Sequence, residues 1–444
     1  MSLDREHNEE PLSSVKSLED YFRRAERPVM EHLVGLEHEK LIYRHGSAQA
    51  VPYEGPDGIE ALLKGLAPHG YTLFKEQDDA PIIALTRGIE TISLEPGGQF
   101  ELSGSPHKTA RLAHEENERH LTEVRDAGRP LGLYPLALGY RPFDHIPEMP
   151  WMPKTRYRMM REVLPTRGGM ALDMMLMTAT GQVSLDWSSE ADCARKVTLT
   201  ARVTPLLVAL YANSPLVQGK PSGFQSYRSH VWSDVDRTRC GYFPAMLDGT
   251  FRYRAYVEWA LDAPLLFLRR NNEYLRPKMT FRRLMKEGFE GKPANKGDWV
   301  DHLSTLFPEV RIKKVLEVRG ADCASVALTG ALPALFRGLL YDTTALDDAE
   351  RILPRLGYDE HLSFHEAAQR DGLKATLRGK TIAPYALQLV EVARRGLMRL
   401  EDGDESLLDA LEAQARSGAS PAEDVLRAFE ENPDPAALLE KFAL

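Results

Sequence analysis

Carboxylates that recur at every second residue along several strand-like runs restrict this chain more than any other feature. A strand turns residues i and i+2 to the same face. In G-L-E-H-E, Glu37 and Glu39 therefore share a face, opposite Leu36 and His38. Ser93 and Glu95 do the same in T-I-S-L-E. Beyond the turn signal Pro96-Gly97-Gly98, Gln99, Glu101 and Ser103 alternate with Phe100 and Leu102. Gln182 and Ser184 alternate with Val183 and Leu185, and Glu317 and Arg319 flank Val318. One such pair would be the wet face of an antiparallel strand. Five glutamates on four strands, with Lys40 the only base beside the first pair, need more. Like charges crowded on one sheet face repel unless cations neutralise them. Hard oxygen ligands suit Mg²⁺ or Mn²⁺, and these ions commonly bridge to nucleotide phosphates. The pattern predicts a sheet face built for phosphoryl transfer.

Strand-like runs fall at 36–42, 91–95, 99–103, 170–177, 182–187 and 313–319. Helical patterns lie between them, at 17–26 with Ser17 as its cap, at 108–126, and at 189–212 with Pro205 as a kink or break. Irregular alternation of this kind predicts an α+β fold, with an antiparallel sheet and helices on one side. The segments 382–400, 406–416, 421–431 and 435–444 all read as helices, and Ser420, Pro421 and Glu423 form a helix start. The expectation is a body over 1–380 with a helical appendage over 381–444 packed on it.

Lys and Arg number 56 against 65 Asp and Glu, a formal charge of −9, which disfavours nucleic acid or an anionic membrane as the main partner. No apolar run approaches the about 18 residues a membrane-crossing helix needs. The opening MSLDREHNEE has neither a secretion signal's apolar core nor the acid-poor character of a transit peptide. Cys193, Cys240 and Cys323 are too few for a disulfide framework and fit a reducing cytoplasm. A second polar stretch, 213–236, presents Lys220, Arg228 and His230 among small residues; it reads as a loop for an anionic substrate or as a solvated connection. An arginine there suits a carboxylate, because its planar fork binds both oxygens. Other short motifs fail. R-G-K-T at 378–381 has Lys374 where a phosphate loop needs its first glycine, and His114-Glu115 is followed by Glu118 instead of a second histidine. Met170, Met174, Met175 and Met177 read as core filling.

Longer blocks carry a resemblance. G-L-E-H-E-K, S-L-E-P-G-G-Q-F-E-L-S-G, L-D-M-M-L-M-T-A-T-G-Q-V-S-L-D-W-S-S-E-A-D, the stretch 213–236 and F-P-E-V-R-I-K-K-V-L-E-V-R-G-A-D resemble the glutamate–cysteine ligase family of plant and proteobacterial type. The resemblance implies a glutamine synthetase-like catalytic domain over 1–380, its antiparallel sheet curved into a funnel with Mg²⁺ (or Mn²⁺) and ATP on the inner face. It places metal-binding glutamates on Glu37, Glu39, Glu95, Glu101 and Glu317. Arg228 becomes the substrate-carboxylate arginine. Arg319 faces the transferring phosphate as the catalytic group, together with Glu37 and Glu317. Gln182 and Ser184 lie where relatives place a further contact, with Ser184 standing in for Asn or His.

The implied substrates are L-glutamate, L-cysteine and ATP, and the product γ-glutamylcysteine is the first step towards glutathione. A relative joining glutamate to another amine, or a non-catalytic binding descendant, would share many of these residues; the intact acidic and arginine positions argue against the latter. The absence of a transit peptide points to a bacterial, cytoplasmic member. The redox switch of plant members should be absent, because A-R-L-A-H-E-E-N, L-T-G-A-L-P-A and 272–298 hold no cysteine.

Overall fold

The computed structural model describes residues 8–12, 14–270 and 273–444; residues 1–7 of the polar opening lie outside them. Nine strands form the main sheet: β1 (Val34–Arg44), β2 (Thr72–Lys75), β3 (Ile82–Arg87), β4 (Glu90–Leu94), β5 (Phe100–Ser103), β6 (Leu133–Leu136), β7 (Thr180–Leu185), β8 (Val310–Ile312) and β9 (Leu316–Asp322). Their order is β8-β9-β7-β1-β5-β4-β3-β2, with β6 joined to the far end of β1. Every pairing is antiparallel. The principal helices are α1 (Val15–Arg23), α2 (Ala110–Gly128), α3 (Thr155–Val163), α4 (Ala171–Met177), α5 (Glu190–Tyr211), α6 (Tyr227–Trp232), α7 (Val326–Leu340), α8 (Tyr358–Asp371), α9 (Ala383–Leu400), α10 (Asp409–Ser417), α11 (Pro421–Glu431) and α12 (Pro435–Lys441). The α+β expectation holds.

Alternation along β1 divides the sheet into two faces. Leu36, His38 and Lys40 are buried at the back, where α2 and α7 pack. There His38 Nδ1 lies 2.9 Å from Asn117 Oδ1, and Phe100 stacks on His120 with ring centroids 6.4 Å apart. Glu37 and Glu39 project from the front. A one-residue slip would bury both acids under helices, so the tightly buried back face fixes the register that turns them to the front.

The C-terminal helices share the central core. Leu389, Val390, Leu397, Leu408 and Leu411 join Leu332, Leu335 and Phe336 in one cluster. Leu438 and Leu439 pack with Leu136 and Leu138, and the amide of Ala137 donates to the carbonyl of Phe442 at 2.9 Å.

Four local expectations are corrected. Segment 170–177 is the helix α4, not a strand. Its run A-L-D-M-M-L-M lacks β-branched residues, and Ala, Leu and Met favour helix. The first helix is capped by Ser14, which accepts from the Ser17 amide. Pro205 does not break α5, which runs through it buried along most of its length. Ser420 sits at the N-cap position of α11 without making the cap bond: its hydroxyl donates to the Ala209 carbonyl at 2.7 Å and accepts from the Leu373 amide at 3.0 Å.

Candidate active site

The front of the sheet opens on a cavity of about 110 Å³ lined by Glu37, Glu39, Glu95, Glu101, Gln182, Arg228 and Arg319, among others. Strand register brings most of these together. Glu39 stands directly opposite Glu101 across β1 and β5, and Glu37 opposite Gln182 across β1 and β7. Glu95 follows the end of β4 and is set by a tight turn, in which the Gly98 amide donates to the Glu95 carbonyl at 2.9 Å. Glycine is required there twice. Gly98 has φ +84°, and a Cβ on Gly97 would lie 2.2 Å from the Leu176 carbonyl oxygen. Tyr157 of α3 donates to the Leu94 carbonyl at 2.5 Å and lies 3.3 Å from Glu95 Oε1.

Charge is divided across the face. Acids occupy β1, β5 and the turn after β4, whereas on the β8–β9 hairpin Arg311, Lys313 and Arg319 surround the single acid Glu317. Glu101 accepts from Ser93 Oγ at 2.8 Å, and burial followed by Glu101 and Glu95 pushes the Glu39 carboxyl well above its ordinary pKa. Across the sheet, Glu317 is held by Arg311 Nε, by Lys313 Nζ at 2.7 Å and by Arg319 at 3.6 Å. Burial alone would raise Glu317, but these three cations outweigh it and keep the carboxyl below the usual range. Arg319 reaches towards the acids, donating to Gln182 Oε1 at 2.6 Å. Burial and then Arg311 lower its pKa to about 10, so it stays cationic at neutral pH.

Arg228 enters from the first turn of α6, whose Ser226 cap accepts from the Ser229 amide. Asp322 at the end of β9 organises this corner. It accepts from the Asn213 amide at 2.8 Å, Ser214 Oγ at 2.6 Å and Ser226 Oγ at 2.8 Å, and lies 3.8 Å from Arg228 Nη1. Arg228 Nη2 also donates to the backbone carbonyl of Arg319 at 3.1 Å.

Six sequence-predicted residues besides Arg319 thus meet in one cavity. Glu317 and Ser184 do not line it; they face each other across β9 and β7. The sequence reading passed over Asp322, Arg311, Lys313 and the buried Lys154. Lys154 donates to the Leu94 carbonyl at 2.7 Å, and burial lowers its pKa to about 8 against the pull of Glu95 and Glu101. Arg311 and Lys313 were legible by the same i, i+2 rule that marked the glutamates. His230, singled out with Arg228, stacks on Phe224 with centroids 4.0 Å apart instead of lining the cavity.

The acid side fits a divalent cation. Its donors are carboxylates, Glu101 buried and Glu37, Glu39 and Glu95 half-buried, and the charges of Glu101 and Glu95 add to the burial that raises Glu39. Among the described residues a different trio, Glu90, His120 and Glu123, brings its ligand atoms within 4.8 Å of one another. That trio lies outside the cavity. Arg119 pairs with Glu90 at 2.7 Å and Arg87 with Glu123 at 2.9 Å, so those charges are already neutralised.

Known proteins resemble the chain in both sequence and fold. The family model described as glutamate–cysteine ligase family 2 matches residues 33–439. The chain is 37% identical over 424 residues to a chloroplastic glutamate–cysteine ligase of Medicago truncatula, covering 95% of this chain and 82% of the relative. It is 38% identical over 403 residues to the chloroplastic enzyme of Arabidopsis thaliana, covering 90% and 76% respectively. A crystal structure of a glutamate–cysteine ligase from Francisella tularensis in complex with AMP superposes with TM-score 0.60 at 13% identity, over 93% of this chain and 88% of that one. That likeness is one of fold. The chloroplastic names of the relatives give no support to the expectation of a bacterial, cytoplasmic protein. No helix of the described residues is long and apolar enough to cross a membrane.

Proposed function

The chain belongs to glutamate–cysteine ligase family 2 and is an ATP-dependent ligase joining L-glutamate to L-cysteine, the first step of glutathione synthesis, and we propose that the acid-lined cavity is where this reaction occurs. The observation that carries the assignment is the division of charge on one sheet face, with clustered glutamates on one side and Arg228 and Arg319 on the other. Glu37, Glu39, Glu95 and Glu101 would hold Mg²⁺ or Mn²⁺, whereas Glu317, outside the cavity and taken by Arg311, Lys313 and Arg319, is assigned no ion. Such an ion, when bound, neutralises and orients the phosphates of ATP.

This chain's own residues supply the rest. Arg319, cationic and held by Gln182, donates to the oxygens of the phosphoryl group as it transfers. Arg228 holds the substrate carboxylate that does not react, leaving the side-chain carboxylate of L-glutamate to attack the terminal phosphorus. ADP leaves and an acyl phosphate forms. The cysteine amine then attacks the acyl carbon, the carbon–oxygen bond to phosphate breaks, the nitrogen loses a proton, and γ-glutamylcysteine results. Asp322 positions Arg228, and Arg311 and Lys313 keep the β8–β9 edge cationic. Ser184 is assigned no contact. Residues 1–380 carry this catalytic unit, with 381–444 packed on it.

The test is an assay with ATP, Mg²⁺, glutamate and a panel of amines, recording phosphate release and product mass. Cysteine should give the fastest turnover and a product of γ-glutamylcysteine mass. Phosphate release with a different amine but not with cysteine would overturn the specificity.

A further inference from the structure

A second cavity is larger than the acid-lined one. It measures about 930 Å³ and lies between α5, the turn at 247–252, the segment 350–356 and α8. Its charges are unequally paired. Arg195 takes Asp347 at 2.6 Å and Glu350 at 3.0 Å, Arg351 takes Asp348 at 2.6 Å, and Glu190 is taken by Arg23 at 3.0 Å. Asp248 accepts from the amide and hydroxyl of Thr250. The carboxylates of the wall are thus engaged, while Arg202, Arg252 and Arg355 make no ion pair among the described residues. Arg202 donates only to backbone, to the Leu353 carbonyl at 2.9 Å and the carbonyls of Glu350 and Pro354. Burial, and then the nearby Arg355, disfavour the charge on its guanidinium.

A second observation points the same way. His361 of α8 lines the cavity and is 1% exposed, and its Nε2 has no hydrogen-bond partner. Burial, His365 and Arg202 lower its pKa to about 3, so the ring is neutral and offers one donor or acceptor. A buried polar atom without a partner is rare unless something fills the site. Three unpaired guanidiniums around such an atom match the planar, multidentate binding that Arg gives to oxyanions.

We infer that this cavity binds a small, multiply charged oxyanion, held by Arg202, Arg252 and Arg355 at its rim and by His361 at its base. The inference does not depend on the reading of the acid-lined cavity. Phosphate and carboxylate groups share the required chemistry, and two probes separate them: pyrophosphate and citrate. Each is titrated calorimetrically into the full chain without added metal. Three proteins are compared: the parent, an Arg202→Gln/Arg355→Gln variant, and an Arg228→Ala/Arg319→Ala variant that disables the other cavity. At least one probe should bind the Arg228→Ala/Arg319→Ala protein with near-parent affinity and bind the Arg202→Gln/Arg355→Gln protein at least tenfold more weakly. The responding probe identifies the source. Because Arg202 also ties down the 350–356 segment, Arg355→Glu, at an exposed position, serves as the second variant and should cause a loss at least as large. Ligase turnover of Arg355→Glu at saturating substrates should stay at the parent level. Binding of neither probe to the Arg228→Ala/Arg319→Ala protein, or equal affinity in the parent and Arg355→Glu, overturns the site.

Discussion

Replacing Glu39 by glutamine should stabilise the metal-free protein and sharply reduce its stabilisation by Mg²⁺. Glu39 and Glu101 are directly opposed across β1 and β5, a geometry that sets Cβ atoms about 5 Å apart. Two unit charges at that distance, in an effective dielectric of about 20, repel by about 3 kcal/mol. Carboxylates that turn apart reduce this, so Glu39→Gln should gain about 1–3 kcal/mol when Glu39 would be ionised. With an m-value of about 3 kcal/mol/M, the urea midpoint rises by roughly 0.3–1 M. The pH dependence gives the sign. Glu39 has a raised folded pKa, so above the ordinary carboxyl value of about 4.3 the native state holds a proton that the unfolded chain has lost. The metal-free parent therefore loses stability as pH rises from that value through the folded one, and the glutamine variant is spared this part of the loss. Below about pH 4 the advantage disappears. Mg²⁺ at 100 times its dissociation constant should add about 2.7 kcal/mol to the parent and far less to the variant. Urea melts across pH 4–9, with and without Mg²⁺, decide the matter. Equal pH slopes for the two proteins, or equal Mg²⁺ stabilisation, would refute the reasoning.

The other expectations are kinetic or chemical. Arg319→Ala should lower kcat by about 10²–10³-fold, as loss of one oxyanion donor does, with little change in KM, measured by steady-state rates with each substrate varied. Arg228→Ala should mainly raise KM for an amino-acid substrate, and Lys at either position should restore only part of the loss. Asp322→Asn keeps the size but removes the charge beside Arg228, so it should raise the same KM by about tenfold while leaving kcat within a few-fold; an unchanged KM would show that Arg228 needs no such support. Cys193, Cys240 and Cys323 are free and buried, so activity should be the same in reducing and mildly oxidising buffers, and a reversible loss mapping to a cysteine pair would contradict this.

The strands that carry the glutamates were readable because their two faces differ so strongly. The run 36–42 lies within β1, and 91–95 and 99–103 overlap β4 and β5 to within a residue at each end. Segment 170–177 was not readable, since an apolar run without periodicity fits a buried strand or a short helix equally well. Lys154 and Asp322 were hidden for another reason. Nothing local marks them, and their importance comes from what the fold brings beside them, Leu94 from 60 residues away for Lys154 and Ser226 from 96 residues away for Asp322. Arg311 and Lys313 obey the alternation rule, but only the fold shows that both turn onto Glu317.

The bond from Arg228 Nη2 to the carbonyl of Arg319 makes the amino-acid end and the phosphate end of the cavity parts of one linkage. A ligand that draws the Arg228 side chain must pull on, or release, the backbone that carries Arg319. Occupancy at one end then changes affinity at the other, and the effect has to be reciprocal: whatever factor glutamate applies to nucleotide binding, nucleotide applies to glutamate. In a double-mutant cycle the two arginines would show an interaction free energy instead of adding, as residues sharing a contact do. The enzyme would thereby sense whether its carboxylate donor is seated before the phosphoryl group is committed.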